Sequence, residues 1–299
     1  MTTLNAFVDL AVCPVSYDVI PLLVQAKIAQ RKIGAERMNV SVVGPMRKKP
    51  QYDEHEAEWR LHNIVLPAAQ LFDATVCYLP DWLYAERLAS AKDWKNWPED
   101  WRTQTLNKRH HLIGGVIEAA KAGEAIPRVH ASFHARRSVR EWFKERMNGL
   151  PVVTMTLRNT YLPERNSDRK VWDAARTHIV SRGYAVVPLE DTGVALRQGK
   201  GYGELNLDLR AATYGESVLN LQANNGAASL CWFSDRPYRM FGAGVPAEEW
   251  DGLFVKQGLP LGSSWPWAAP QQRICYGETT AEQMIAEFEE WRESESAMK

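Results

Sequence analysis

Short apolar runs alternate with amphipathic stretches along almost the whole chain, which is the grammar of successive βα units. Leu4 to Val12 reads as a strand, and Val19 to Ile33 as a helix with Ile20, Leu23 and Ala26 at helical spacing, ended by Gly34. Asn39 to Val43 is the next apolar run, stopped by Gly44-Pro45. Glu54 to Phe72 has helical character that Pro67 should kink or interrupt, and Ala74 to Leu79 forms a third strand. Asp81 to Trp101 reads as a polar, partly exposed excursion near the cleft crowded with tryptophan, either anchoring a loop to its own domain or stacking on a sugar or base. A helix over Gln104 to Ala122 and a basic helix over His130 to Met147 complete the first half.

The pattern then restarts. Val152 to Leu157 is a buried strand that breaks into a polar loop, followed by a helix with Val171, Trp172, Ala175 and Ile179 on one face and a strand from Tyr184 to Leu189. After a Gly-rich loop from Thr192 to Gly203 come a helix near Leu205 to Ala212 and strands at Ser217 to Leu221, Pro237 to Phe241 and Arg273 to Tyr276. Val245 to Gln272 is too long for a simple connector. Thr279 with Glu282 reads as the capping box of a last helix. The expectation is an α/β chain of two Rossmann-like domains, 1–148 and 149–299, with parallel sheets facing a central cleft.

The 299-residue length fits two cores better than one. Lys+Arg and Asp+Glu both number 36, and the one short basic run, Arg47-Lys48-Lys49, gives no electrostatic support for nucleic-acid binding. No window reaches the roughly 18 to 20 apolar residues of a membrane span. MTTLNAFVDL has no basic segment ahead of a long apolar run. A cytoplasmic protein is expected, with at most peripheral membrane contact. Cys13, Cys77, Cys231 and Cys275 lie far apart without a CxxC pair, as buried free thiols do, and no metal site is expected.

Candidate chemistry concentrates beyond the strand ends. In open parallel sheets ligands sit outside the carboxyl ends of the strands, where Arg158 and Arg165 follow Val152 to Leu157, and arginine suits bidentate phosphate contact. The competing reading pairs them with Glu164 and Asp168 on a solvated loop. Asn225-Gly226-Ala227 is a small-residue turn opening a helix, either an anion cradle or an ordinary tight turn. Glu190 and Asp191 can accept from ribose or sugar hydroxyls, or belong to a solvated turn. Dinucleotide, Walker and nucleophile-elbow glycine motifs are all absent, so no bound cofactor is expected.

The segment from Val152 to Thr192, with SVLNLQANNGAASLCWFSDRPYRMFGAG after it, resembles the donor domain of GT-B glycosyltransferases, especially O-fucosyltransferase-like and related bacterial branches. That resemblance places Arg158 on the phosphates of a nucleotide sugar, which serves as substrate. The chain departs from the fucosyltransferase pattern at Thr156, where a histidine is common. The resemblance implies metal-independent transfer from a nucleotide-sugar donor to a glycan or other hydroxyl acceptor. Asp18, in CPVSYD, is the candidate base, its rival role being the N-cap of the helix from Val19. A sugar-nucleotide epimerase of the same fold and a non-catalytic nucleotide- or glycan-binding protein are the alternatives.

Overall fold

The computed structural model describes residues 2–46, 53–102, 110–160, 163–197, 206–243 and 254–297. It divides into two compact units, Met1–Ser132 with Asn206–Asp208, and Phe133–Leu205 with Leu209–Lys299. The Arg47-Lys48-Lys49 run lies outside the described residues, as do parts of the Gly-rich loop and of the Val245 to Gln272 segment.

In the first unit, β1 (Thr3–Asp9) leads to α1 (Val19–Lys32) and β2 (Arg37–Val43), then to α2 (Glu54–Arg60) and β3 (Thr75–Leu79). A helix, α3 (Trp82–Ala89), and a fourth strand, β4 (Trp94–Trp97), precede α4 (Gly114–Lys121). The four strands are parallel in the order β3-β2-β1-β4. β1 and β2 are buried along nearly their whole length, as strands covered on both faces are, and the polar Asn5, Asn39 and Ser41 are buried with their apolar neighbours. One polar row crosses all four strands: Asn39 Nδ2 and Ser41 Oγ donate to Asn5 Oδ1 at 2.9 and 2.7 Å. Thr75 Oγ1 donates to Asn39 Oδ1 at 2.9 Å, and Asn5 Nδ2 to Asn96 Oδ1 at 3.4 Å. Each partner is supplied by the neighbouring strand, which is what makes such burial affordable.

The interruption expected at Pro67 is present: α2 stops at Arg60 and the chain passes through a π turn at Leu61–Val65 just before the proline. The wider turn absorbs the misfit that a missing N–H would otherwise impose. One local expectation changes: the segment from Asp81 to Trp101, read as an excursion, supplies α3 and the sheet strand β4. Its tryptophans anchor it: Trp101 stacks on Phe7 of β1 at 4.2 Å, and Trp82 lies 5.5 Å from Trp101.

The second unit begins with α5 (Phe133–Arg146) and continues through β5 (Val152–Thr156), α6 (Arg169–Ser181), β6 (Ala185–Leu189), α7 (Thr192–Arg197) and α8 (Leu207–Glu216). It ends with β7 (Leu219–Ala223), α9 (Ser229–Trp232), β8 (Tyr238–Ala243), β9 (Gln272–Tyr276) and α10 (Ala281–Ala297). The five strands are parallel in the order β6-β5-β7-β8-β9, so chain progression reverses between β5 and β7. On one face Val153, Met155, Leu219, Leu221 and Phe241 pack against Trp172 and Ile179 of α6 and Met284, Phe288 and Trp291 of α10. The helix α10 is started by Thr280, whose Oγ1 accepts from the Gln283 amide at 3.1 Å. Thr279 of the expected capping box stands one residue earlier.

Candidate functional site

The apolar run of β5 ends in the core, and Arg158 is delivered to the strand's carboxyl end by a backbone that has no freedom to wander. The Arg158 amide donates to Ser167 Oγ and the Ser167 amide to the Arg158 carbonyl, both at 2.9 Å. Asn166 holds Thr160 in the same way, Oδ1 accepting from its amide at 2.6 Å and Nδ2 donating to its carbonyl at 3.0 Å. Asp168 then caps α6, accepting from the Lys170 amide at 2.8 Å. Arg165 sits in a short 3-10 turn, Pro163–Arg165, within this closed loop.

Across the reversal point, β7 supplies the other wall. Arg158 Nη1 donates to the Asn224 carbonyl. Asn225 Nδ2 donates to the Leu157 carbonyl at 3.4 Å, while its Oδ1 accepts from the Ala228 amide at 3.1 Å. The ends of β5 and β7 are therefore laced together where a doubly wound sheet opens its ligand crevice.

A cavity of about 210 Å³ occupies this place. Arg158, Glu164, Arg165 and Asp168 line it from the first loop, and Ala223 and Asn224 from the end of β7. Phe241 and Gly242 of β8 and Glu278 and Thr279 beyond β9 close the remaining sides. Trp172 of α6 completes the floor, meeting Phe241 edge to face at 6.2 Å. Gly242 is left-handed at φ 72°, a conformation a side chain would strain, so the floor stays open beside Phe241. The cavity thus offers an aromatic floor, two guanidinium groups and three carboxylates, able to take an anion at one edge and hydroxyl or N–H donors at another.

The structure places Arg158 and Arg165 together on this cavity, and places the other sequence candidates elsewhere. Glu190 is buried after β6, its carboxylate accepting from Arg169 at 2.8 Å. Asp191 accepts from the Asn159 amide at 3.3 Å and lies outside the lining. Asn225, Gly226 and Ala227 form the capped 3-10 turn that supports the wall, with Ala227 buried, and the helix after it has only four residues. Asp18 belongs to the first unit, where it precedes α1 without making a side-chain cap hydrogen bond. Its Oδ2 accepts instead from Ser16 Oγ at 2.6 Å. Trp172, Phe241, Gly242, Glu278 and Thr279 were not legible as site residues, since they come from three separate segments and share no local motif.

Among the described residues no group of three or more His, Cys, Asp or Glu side chains could hold a metal ion, and no helix is long and apolar enough to cross a membrane. Burial pushes the Cys275 thiol up to about 12 and the Cys231 thiol higher still, so neither supplies a thiolate.

No protein-family model matches the chain, and no curated protein matches it in sequence. Its structure is similar to that of the glycosyl transferase family 9 protein from Veillonella parvula DSM 2008, at 11% identity over 97% of each chain with a TM-score of 0.55. It is also similar to E. coli ADP-heptose LPS heptosyltransferase II, at 12% identity over 99% of this chain and 100% of that one, again with a TM-score of 0.55. Neither is named as an O-fucosyltransferase. Likeness at such low identity concerns the fold, which is GT-B.

Proposed function

We propose that this GT-B chain is a glycosyltransferase that binds a nucleotide-sugar donor in its C-terminal unit and transfers the sugar to a hydroxyl acceptor. The observation that carries this reading is the convergence of Arg158 and Arg165 on one cavity at the β5/β7 reversal point. As the glycosidic bond to the donor breaks, the departing nucleoside diphosphate gains negative charge. Preorganised guanidinium groups stabilise that charge without a metal ion. The cavity is smaller than the roughly 300–1,000 Å³ of a site enclosing a whole drug-sized ligand, so it takes part of the donor, and the diphosphate with an adjoining ring is the part its chemistry suits.

Asp18 is the base of this proposal. Its carboxylate is not consumed in capping α1, and it can take the proton of an acceptor hydroxyl while the oxygen attacks the anomeric carbon. Nucleotide sugar is the substrate, and no further cofactor is called for.

A thermal-shift panel of UDP-, GDP-, ADP-, dTDP- and CMP-sugars tests the donor half, with ADP-heptose included because one structural neighbour carries that donor in its name. Stabilisation by no member of the panel would overturn the reading. Product analysis then separates transfer from the alternatives, since an epimerase alters the donor with no acceptor present and a binding protein turns nothing over. Asp18→Asn should leave donor affinity within about twofold and lower kcat by at least the roughly 100-fold typical of a lost general base. Full activity in that variant would remove Asp18 from the mechanism.

A further inference from the structure

On the face of the second sheet away from α6 and α10, buried polar side chains of the central strands stand among the apolar ones. There Thr154 Oγ1 donates to Asn220 Oδ1 at 2.6 Å, and Thr156 Oγ1 lies 2.9 Å from Tyr214 OH of α8. The guanidinium of Arg210, with no exposed surface, donates through Nε to Tyr214 OH at 3.0 Å and through Nη2 to the Glu190 carbonyl at 3.0 Å. Burial pushes the Tyr214 phenol up to about 12, its oxygen accepts from Arg210, and either hydroxyl of the Thr156–Tyr214 pair can donate to the other.

An arginine withdrawn entirely from water carries a large desolvation cost, and this one does not line the cavity. What it does reach is informative. The Glu190 carbonyl closes β6, and Thr156 is the last residue of β5, two positions before Arg158. Between them the Leu157 amide donates to the Leu189 carbonyl at 2.9 Å.

We propose that Arg210 and Tyr214 are positioning residues: they fasten the carboxyl ends of β5 and β6 to α8 and thereby hold the backbone from which Arg158 meets its ligand. The function of this clamp rests on the donor reading of the cavity, whereas the clamp itself is a property of the unliganded protein. Thr156, where a fucosyltransferase-like pattern would have a histidine, serves it with a hydroxyl that faces away from solvent.

Three variants of the full chain test this. Thr156→Val keeps the β-branched shape and loses the hydroxyl, Thr156→Ser keeps the hydroxyl, and Tyr214→Phe removes the central oxygen. Amide exchange in the unliganded protein is the first readout. The peptide bearing Arg158 should exchange roughly three to ten times faster in Thr156→Val and Tyr214→Phe, the scale of one lost hydrogen bond, with peptides of α10 unchanged. Thr156→Ser should match wild type. The second readout is the Kd of inorganic pyrophosphate or of whichever panel sugar nucleotide the wild type binds, expected to rise by the same factor, with Thr156→Val adding little in an Arg158→Ala background. Unchanged local exchange, or faster exchange everywhere with an unchanged Kd, would overturn the clamp in favour of plain core support. If the wild type binds no sugar nucleotide, the donor reading fails, and exchange together with pyrophosphate affinity still decides the clamp.

Discussion

Arg158 illustrates how much of a binding residue's worth is settled before any ligand arrives. Its amide and carbonyl are tied to Ser167 and its Nη1 to the Asn224 carbonyl, so little conformational entropy remains to be lost on binding. Donor affinity should fall in the order wild type, Arg158→Lys, Arg158→Ala, because lysine keeps the charge and loses the planar fork. A charge-assisted hydrogen bond is worth roughly 1.5 to 3 kcal/mol, so the alanine variant should bind about 10 to 150 times more weakly by calorimetric titration. The rival expectation, an internal pair with Glu164 or Asp168, predicts the reverse: its loss lowers the melting temperature and spares affinity. An Arg158→Ala protein with wild-type affinity would end the phosphate-clamp idea.

At the scale of elements, the contact between α6 and α10 combines a hydrophobic seam with a charged edge. Glu289 of α10 accepts from His178 Nε2 and Arg182 Nε at 2.7 Å each, and from Arg292 Nε at 2.7 Å. Burial pushes the Glu289 carboxyl up, but the three hydrogen bonds outweigh it and hold it at about 2, below its ordinary 4.5. A carboxyl depressed in the folded state stabilises the protein above its unfolded value and ceases to do so as pH falls toward the folded one. Glu289→Gln should therefore melt below wild type at pH 6, and the gap should close progressively between about pH 4.5 and 2. A gap of constant size across that range would show that the loss comes from packing.

For the whole molecule, the cavity belongs entirely to the C-terminal unit, although its lining is gathered from segments more than a hundred residues apart. At a hundredfold excess over its Kd a donor should stabilise the protein by about 2.7 kcal/mol. Amide protection should appear first around Arg158, Asn224, Gly242 and Glu278, the four strand-end segments that line the cavity. Protection centred instead on β1 and β2 would move the donor site to the other unit.

The alternation of apolar runs with amphipathic stretches was enough to establish parallel βα architecture and to put Arg158 and Arg165 at a strand end, because burial on both faces and helical periodicity are local consequences of composition. Arg158 was legible for that reason: it stands where an apolar run stops. Trp82 and Trp101 were legible as anchors of their segment, but the helix and strand it forms and the partner surface, Phe7, on which Trp101 stacks were not. Glu190 likewise looked available after its strand, and only the fold brought Arg169 to its carboxylate and Arg210 to its carbonyl. The order β6-β5-β7-β8-β9 decided the rest. Strand order depends on which crossover packs where, a long-range choice no single stretch of sequence encodes, and it alone brings Trp172, Phe241, Glu278 and Thr279 around the two arginines.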